Sequence, residues 1–283
     1  MCGSDWRSYE QMYYEIDFHN YFANYFSEPG FYIYMSIFRW LNWDFWDVSL
    51  ITKLGCFFIM VKCLKQYLAG DVFIGLMYFL PWYAFYLFID CPMRNLMAIA
   101  VFIVAFQYLI RRQFVKYLFF IVLSTSFHFT AFIFIFLYWG IQRKWSTPIC
   151  VCAFLIVNIF LSSKSVVINL SSLLFGGIPY IAGKMEGYLL DENEYAGGHL
   201  FSLGMIVHLL FFILLLYKRD FIEKGKNGCF IFNLAICYLL LYRLATTVEI
   251  FGRFQLYLSP FFCISIVYIA RSFAYKTRML YVA

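Results

Sequence analysis

From residue 47 to residue 272 the chain is a succession of apolar runs, most of them close to the ~20 residues a helix needs to cross a bilayer. That feature constrains the fold more than any other. Backbone polar groups cannot reach water at that depth, so each run must satisfy its own hydrogen bonds. Strand-like alternation is absent, which leaves helices. Composition agrees: 64% of residues are hydrophobic and 13% charged, whereas soluble domains run near 45–50% and about 25%. The expected fold is therefore all-α, a polytopic integral membrane protein with no soluble core to speak of.

The runs fall at about 47–68, 71–90, 94–111, 114–141, 148–163, 200–217, 229–248 and 254–272. Residues 30–42 are apolar but too short to span, and read as an interfacial helix with Trp40, Trp43 and Trp46 at headgroup level. Residues 1–29 form an acidic, aromatic segment carrying Asp5, Glu10, Glu15, Asp17 and Glu28. A long connection runs over 164–199, apolar and Gly-broken first, then polar and acidic. Seven of the nine cysteines lie inside apolar runs and read as small buried hydrophobes. No repeat is visible, and the expectation is one transmembrane domain over 1–283.

Charge sets orientation, because Lys and Arg gather on the cytoplasmic side. Basic loops at Lys62/Lys65, Arg111/Arg112/Lys116, Arg143/Lys144, Lys218–Lys226 and Arg271–Arg278 alternate with acidic or mixed ones at 1–29, 44–47, 90–94, 184–194 and 249–253. The formal charge of +6 is thus a topology signal rather than a nucleic-acid footprint. Segment 114–141 breaks the alternation, since basic residues flank both ends. It must cross an even number of times, in two arms of about a dozen residues. The spacing predicts a broken hairpin with His128 near its apex, which brings the total to about nine membrane-embedded segments plus the interfacial N-terminal helix.

Five short motifs follow in order: Gly3-Ser4-Asp5-Trp6…Tyr9, Glu28-Pro29-Gly30-Phe31, Arg94 opening RNLMAIAVFIVAF, Phe127-His128-Phe129-Thr130-Ala131, and Gly252-Arg253-Phe254…Tyr257. Together they cover nearly the whole chain, and their order resembles the EpsG family of Wzy-like bacterial polysaccharide polymerases. Members of that family usually carry a span ahead of the first motif, often with an arginine just upstream; neither stands here, so the expectation is a truncated chain or a short form.

The resemblance implies a metal-independent, cofactor-free glycosyltransferase. It would transfer an undecaprenyl-diphosphate-linked glycan onto a lipid-linked repeat unit, in the bacterial inner membrane, with its active site facing the periplasm or outside. Its partners would be the lipid-linked oligosaccharide, membrane lipid, and possible chain-length and export proteins. A glycan ligase or other lipid-carrier glycosyltransferase would need the same cationic site. A flippase would more often show internal repeats and paired broken helices.

The residues suit that chemistry. Arg94 and Arg253, at the outer ends of their spans, are the candidates for holding the diphosphate, since a guanidinium offers paired donors and keeps its charge. The plain alternative is an anchor snorkelling to water, or for Arg94 a pair with Asp90. His128, Asp5 and Glu28 are the catalytic candidates, as base or proton carrier. Glu28 also suits the N-terminus of the helix that follows it. Lys184 and Glu249 are secondary candidates on the same face, while His208, inside an apolar run, reads as structural.

Overall fold

A computed structural model describes residues 6–16, 28–90, 92–161, 163–175, 202–247 and 250–273. Among these residues every regular element is helical. The chain divides into two compact units, 1–142 and 143–283.

In the first unit, α1 (Trp6–Glu15) lies on the turn that joins α2 (Pro29–Trp40) to α3 (Phe45–Leu68). The Tyr13 hydroxyl donates to the Trp43 carbonyl at 2.8 Å, and Trp46 Nε1 donates to Glu10 at 3.2 Å. Asp44 starts α3 by accepting from the Trp46 amide at 2.8 Å, the usual way to satisfy an orphan first-turn donor. Trp40, Trp43 and Trp46 remain exposed, as an interfacial belt requires.

Next, α4 (Val72–Phe79) runs into π-helical turns over Leu80–Ala84 and Tyr86–Asp90. Pro81 falls within the first of these; it lacks the amide that the α-helical ladder needs there. Phe73, Trp82 and Phe85 stand out from this stretch more than half exposed. Apolar surface of that extent fits lipid, not water.

Then α5 (Met93–Ile110) leads to α6 (Phe114–Phe127), which stops at His128. His128 is extended (φ −153°, ψ 123°), and a 3-10 helix over Phe129–Phe136 and the short α7 (Leu137–Gly140) follow. The second arm folds back along the first. The Tyr117 hydroxyl donates to the Phe134 carbonyl at 2.5 Å, the Phe114 and Trp139 rings lie 5.5 Å apart, and the Tyr138 hydroxyl donates to the Arg112 carbonyl at 2.9 Å. The expected broken hairpin is therefore present, with His128 at its tip. Ser124 fixes the tip against α5 by donating to the Ala98 carbonyl at 2.7 Å. Counting outward from that contact on two antiparallel helices sets His128 level with Arg94.

In the second unit, α8 (Thr147–Ile159), α9 (Lys164–Phe175) and α10 (Leu203–Tyr217) precede the short α11 (Arg219–Glu223). The antiparallel pair α12 (Gly228–Thr247) and α13 (Ile250–Arg271) closes the chain. Pro260 interrupts α13, but the Ser259 hydroxyl donates to the Leu256 carbonyl at 2.8 Å and so serves the acceptor that the missing amide leaves over.

Among the described residues three helices, α5, α12 and α13, are long and apolar enough to cross a membrane. The expected total of about nine embedded segments is not confirmed by that measure. The stretches 114–127, 129–140, 147–159 and 203–217 are apolar but shorter than a full crossing, α3 carries Asp47, Lys53, Lys62 and Lys65, and the 71–90 run changes helix type halfway.

Candidate functional site

Glu28 is the residue from which the site is built. It occupies the N-cap position of α2, yet its side chain makes no capping bond. The carboxylate is instead fully buried and shared between a guanidinium and an imidazole: Oε2 accepts from Arg94, and Oε1 meets His128 Nδ1 at 2.7 Å. The Phe129 amide adds a third contact at 3.3 Å. The role at the start of the helix that Glu28 also suited is thus replaced by a bridge across 66 and 100 residues of sequence.

Local structure explains how these groups meet. Pro29 suits the first helical position, where its missing amide is no loss. Gly30 permits α2 to press on the hairpin tip: a Cβ there would collide with the Ser126 hydroxyl, and even the Ser126 carbonyl carbon is 3.1 Å from that point. The break at His128 frees the Phe129 amide to face Glu28. On the other side, Arg94 Nε donates to the Tyr9 hydroxyl at 3.0 Å, with the guanidinium 5.4 Å from the Tyr9 ring centroid. Tyr9 packs edge-on against Phe31 with centroids 5.7 Å apart.

The electrostatics follow. Burial by itself pushes the Glu28 carboxyl upward. The hydrogen bond from His128 and the charge of Arg94 outweigh it and hold the group at about 2, well under its ordinary 4.5. An ionised carboxylate only accepts, so His128 Nδ1 carries the proton and the ring's lone pair sits on Nε2. Arg94 keeps 30% of its side chain exposed, so this cation is positioned by Glu28 and Tyr9 but not sealed away.

Of the residues singled out in the sequence, Glu28, Arg94 and His128 come together in the first unit. Arg253 lies in the second unit, on the first turn of α13, partly exposed. Asp5, Lys184 and Glu249 lie outside the described residues. His208 sits in an aromatic stack: its ring lies 3.4 Å from that of Tyr242, and Nδ1 donates to the Gly204 carbonyl at 2.7 Å. Two residues escaped the sequence reading. Tyr9 belongs to the first motif, but nothing along the chain announced it as a partner of Arg94. Arg243, buried toward the end of an apolar run, was legible in principle as a charge within a span.

Compared with known proteins, the chain matches the model of the EpsG family over residues 1–283. No curated protein and no solved structure matches it.

Proposed function

Because the chain belongs to the EpsG family, a family of Wzy-like polysaccharide polymerases, we propose that it extends a glycan by transferring it from an undecaprenyl-diphosphate carrier onto a lipid-linked repeat unit. The observation that carries this reading is the Glu28 carboxylate held between Arg94 and His128. A buried carboxylate on one imidazole nitrogen orients the ring and steadies the imidazolium that forms when the other nitrogen takes a proton, as in nucleophile-activating triads generally. The acceptor sugar hydroxyl gives its proton to His128 Nε2, and its oxygen attacks the anomeric carbon of the donor glycan. The bond from that carbon to the diphosphate breaks, and undecaprenyl diphosphate leaves with the electron pair. Arg94 supplies fixed positive charge for the departing oxyanion. Arg253 joins the reading as a second diphosphate ligand on its motif alone, and Asp5, in the motif that contributes Tyr9, stays a candidate on the same ground. The chemistry draws on no metal or cofactor.

The alternation of basic and acidic loops supports an active site facing the periplasm or outside, because the hairpin's roots at Arg112 and Arg143 are basic. At 14 residues, α6 extends about 21 Å, short of the ~30 Å hydrocarbon core, which leaves His128 at membrane depth on that side.

The test is complementation of a cell lacking its own polymerase. Arg94→Ala and Arg253→Ala are expected to abolish polymer while the protein still inserts, and single unextended repeat units should accumulate on the carrier. Normal polymer with either variant would remove the diphosphate clamp. Fully extended glycans stranded on the carrier would reassign the chain as a ligase. For orientation, Asn193→Cys should react with an impermeant thiol reagent from outside and Asn227→Cys should not; the reverse pattern would turn the topology over.

A further inference from the structure

Arg243 is 4% exposed. It shares one face of α12 with Phe232, Ile236, Leu239 and Thr247, at the spacing of three and four that lines up a helical stripe. Its Nε has no hydrogen-bond partner, and no carboxylate pairs with it among the described residues. The hydroxyls closest in sequence are turned to other work: Thr246 and Thr247 donate to the Arg243 carbonyl at 2.8 and 3.0 Å. A guanidinium cannot escape by losing its proton. Leaving one buried without an anion is expensive, and such groups at membrane depth mark ion and substrate sites.

The depth of Arg243 can be read from the packing of α12 on α13. The Cβ position at Gly252 lies 3.8 Å from the Ala245 Cβ, and the Tyr268 hydroxyl donates to the Lys226 carbonyl at 3.2 Å at the far end. The two helices are therefore antiparallel and in register near that pair. Two residues back along α12 and one residue on along α13 move the same way, by about 3 and 1.5 Å. Arg243 and Arg253 thus lie at nearly one depth in the second unit.

We propose that Arg243 is an anion ligand, binding a phosphate oxygen of the lipid-linked substrate at the depth of Arg253. The identity of that substrate rests on the polymerase reading, whereas the presence of an anion site does not. A phosphate at membrane depth has two sources, the diphosphate of the carrier or the headgroup of an anionic lipid, and the geometry points to the carrier because Arg253, at the same depth, lies in the last of the five motifs.

The experiment uses the full chain in phosphatidylcholine nanodiscs, with undecaprenyl diphosphate as the probe. Arg243→Gln is expected to weaken binding about 10- to 100-fold, as for loss of charge-assisted hydrogen bonds, and Arg243→Lys to weaken it less. Without the probe, Arg243→Gln is expected to unfold at a higher temperature than the wild type, since it removes a buried charge that no carboxylate among the described residues pairs. Wild-type affinity in the Gln variant overturns the proposal. So does a ligand-free Gln variant that unfolds earlier, because that would make Arg243 a structural ion-pair partner. A third arm replaces part of the phosphatidylcholine with phosphatidylglycerol. Stabilisation that depends on Arg243 but follows phosphatidylglycerol and not the probe would assign the site to membrane lipid and overturn the substrate role. Binding is read without polymerisation, so Arg243-dependent binding in a chain that makes no polymer would sink the polymerase reading and leave this one standing.

Discussion

Two arginine–carboxylate pairs in this molecule invite comparison. Arg219 and Glu223 are four residues apart on the same short helix, joined at 2.7 Å. Arg219 also donates to the Thr147 hydroxyl at 3.2 Å and to the Trp145 carbonyl, and its guanidinium lies 4.9 Å from the Phe232 ring centroid. Glu223 takes Lys144 as well. Every strong group there is spent on a neighbour, and both side chains are nearly closed to solvent. Arg94 and Glu28 come from distant stretches, Arg94 keeps an open side, and the carboxylate divides itself with an imidazole. A saturated pair holds loops together. A pair that retains an outward cation and a proton-carrying ring is the one we propose for chemistry.

The largest expected consequence of that difference is on turnover. Glu28→Ala and His128→Ala should each lower polymer formation by about 10²–10⁴, the usual span for general acid–base groups, measured as initial rate on lipid-linked repeat units per inserted molecule. Arg219→Ala should leave that rate unchanged. It should instead cost about 1–3 kcal/mol of stability, the loss of charge-assisted hydrogen bonds that Lys144 only partly replaces at Glu223, read from thermal unfolding in detergent. An Arg219 variant that folds normally but fails to polymerise would erase the contrast.

Packing at the hairpin tip gives an intermediate effect. Gly30→Ala should destabilise by about 1–3 kcal/mol, as overfilling a tight contact does, and Ser126→Gly in the same chain should restore only part of the loss, since the backbone at residue 126 stays close. Unfolding midpoints of the single and double variants measure it.

The pH dependence sharpens the comparison further. The Glu28 carboxyl is held at about 2 in the folded protein against an ordinary 4.5, so the folded state favours its charged form. Its contribution is fully present above about 4.5 and is lost as pH falls through that value toward 2. Docking of α2 on the tip, followed by protease protection near residue 28, should loosen over that window, and Glu28→Gln should abolish the transition. Glu223 is also held low, against burial, by Lys144 and Arg219, so its loops should loosen on acidification in the same direction. The smallest effect is expected from Tyr9→Phe. That change keeps the ring and removes one neutral hydroxyl from Arg94, for a loss of up to about tenfold in rate.

Much of the architecture was legible along the chain. Basic residues at both ends of 114–141 demanded an even number of crossings, and the hairpin with His128 at its tip follows from that count. The motif order marked Glu28, Arg94 and His128. What the chain could not show was their mutual geometry. Glu28 stands before a proline and a helix, which reads locally as a helix-start charge, and only packing across 100 residues of sequence reveals the imidazole it serves. The change of helix type after Phe79 was hidden because apolar composition is the same for α and π turns. Arg243 stood in plain view as a charge inside an apolar run, but one charge barely moves the average of such a run. Only three dimensions show that its Nε is buried with no hydrogen-bond partner and that no carboxylate among the described residues pairs with it.

The hairpin over 114–140 is, mechanically, a cantilever. Its two roots are fastened together where the Tyr138 hydroxyl meets the Arg112 carbonyl, and its far end hangs beyond them. What steadies that end sideways is a clasp of side chains rather than a continuation of backbone. The perch of the imidazole can therefore be retuned by altering one grip at residue 28 or one notch at residue 30, while the beam itself is left as it is.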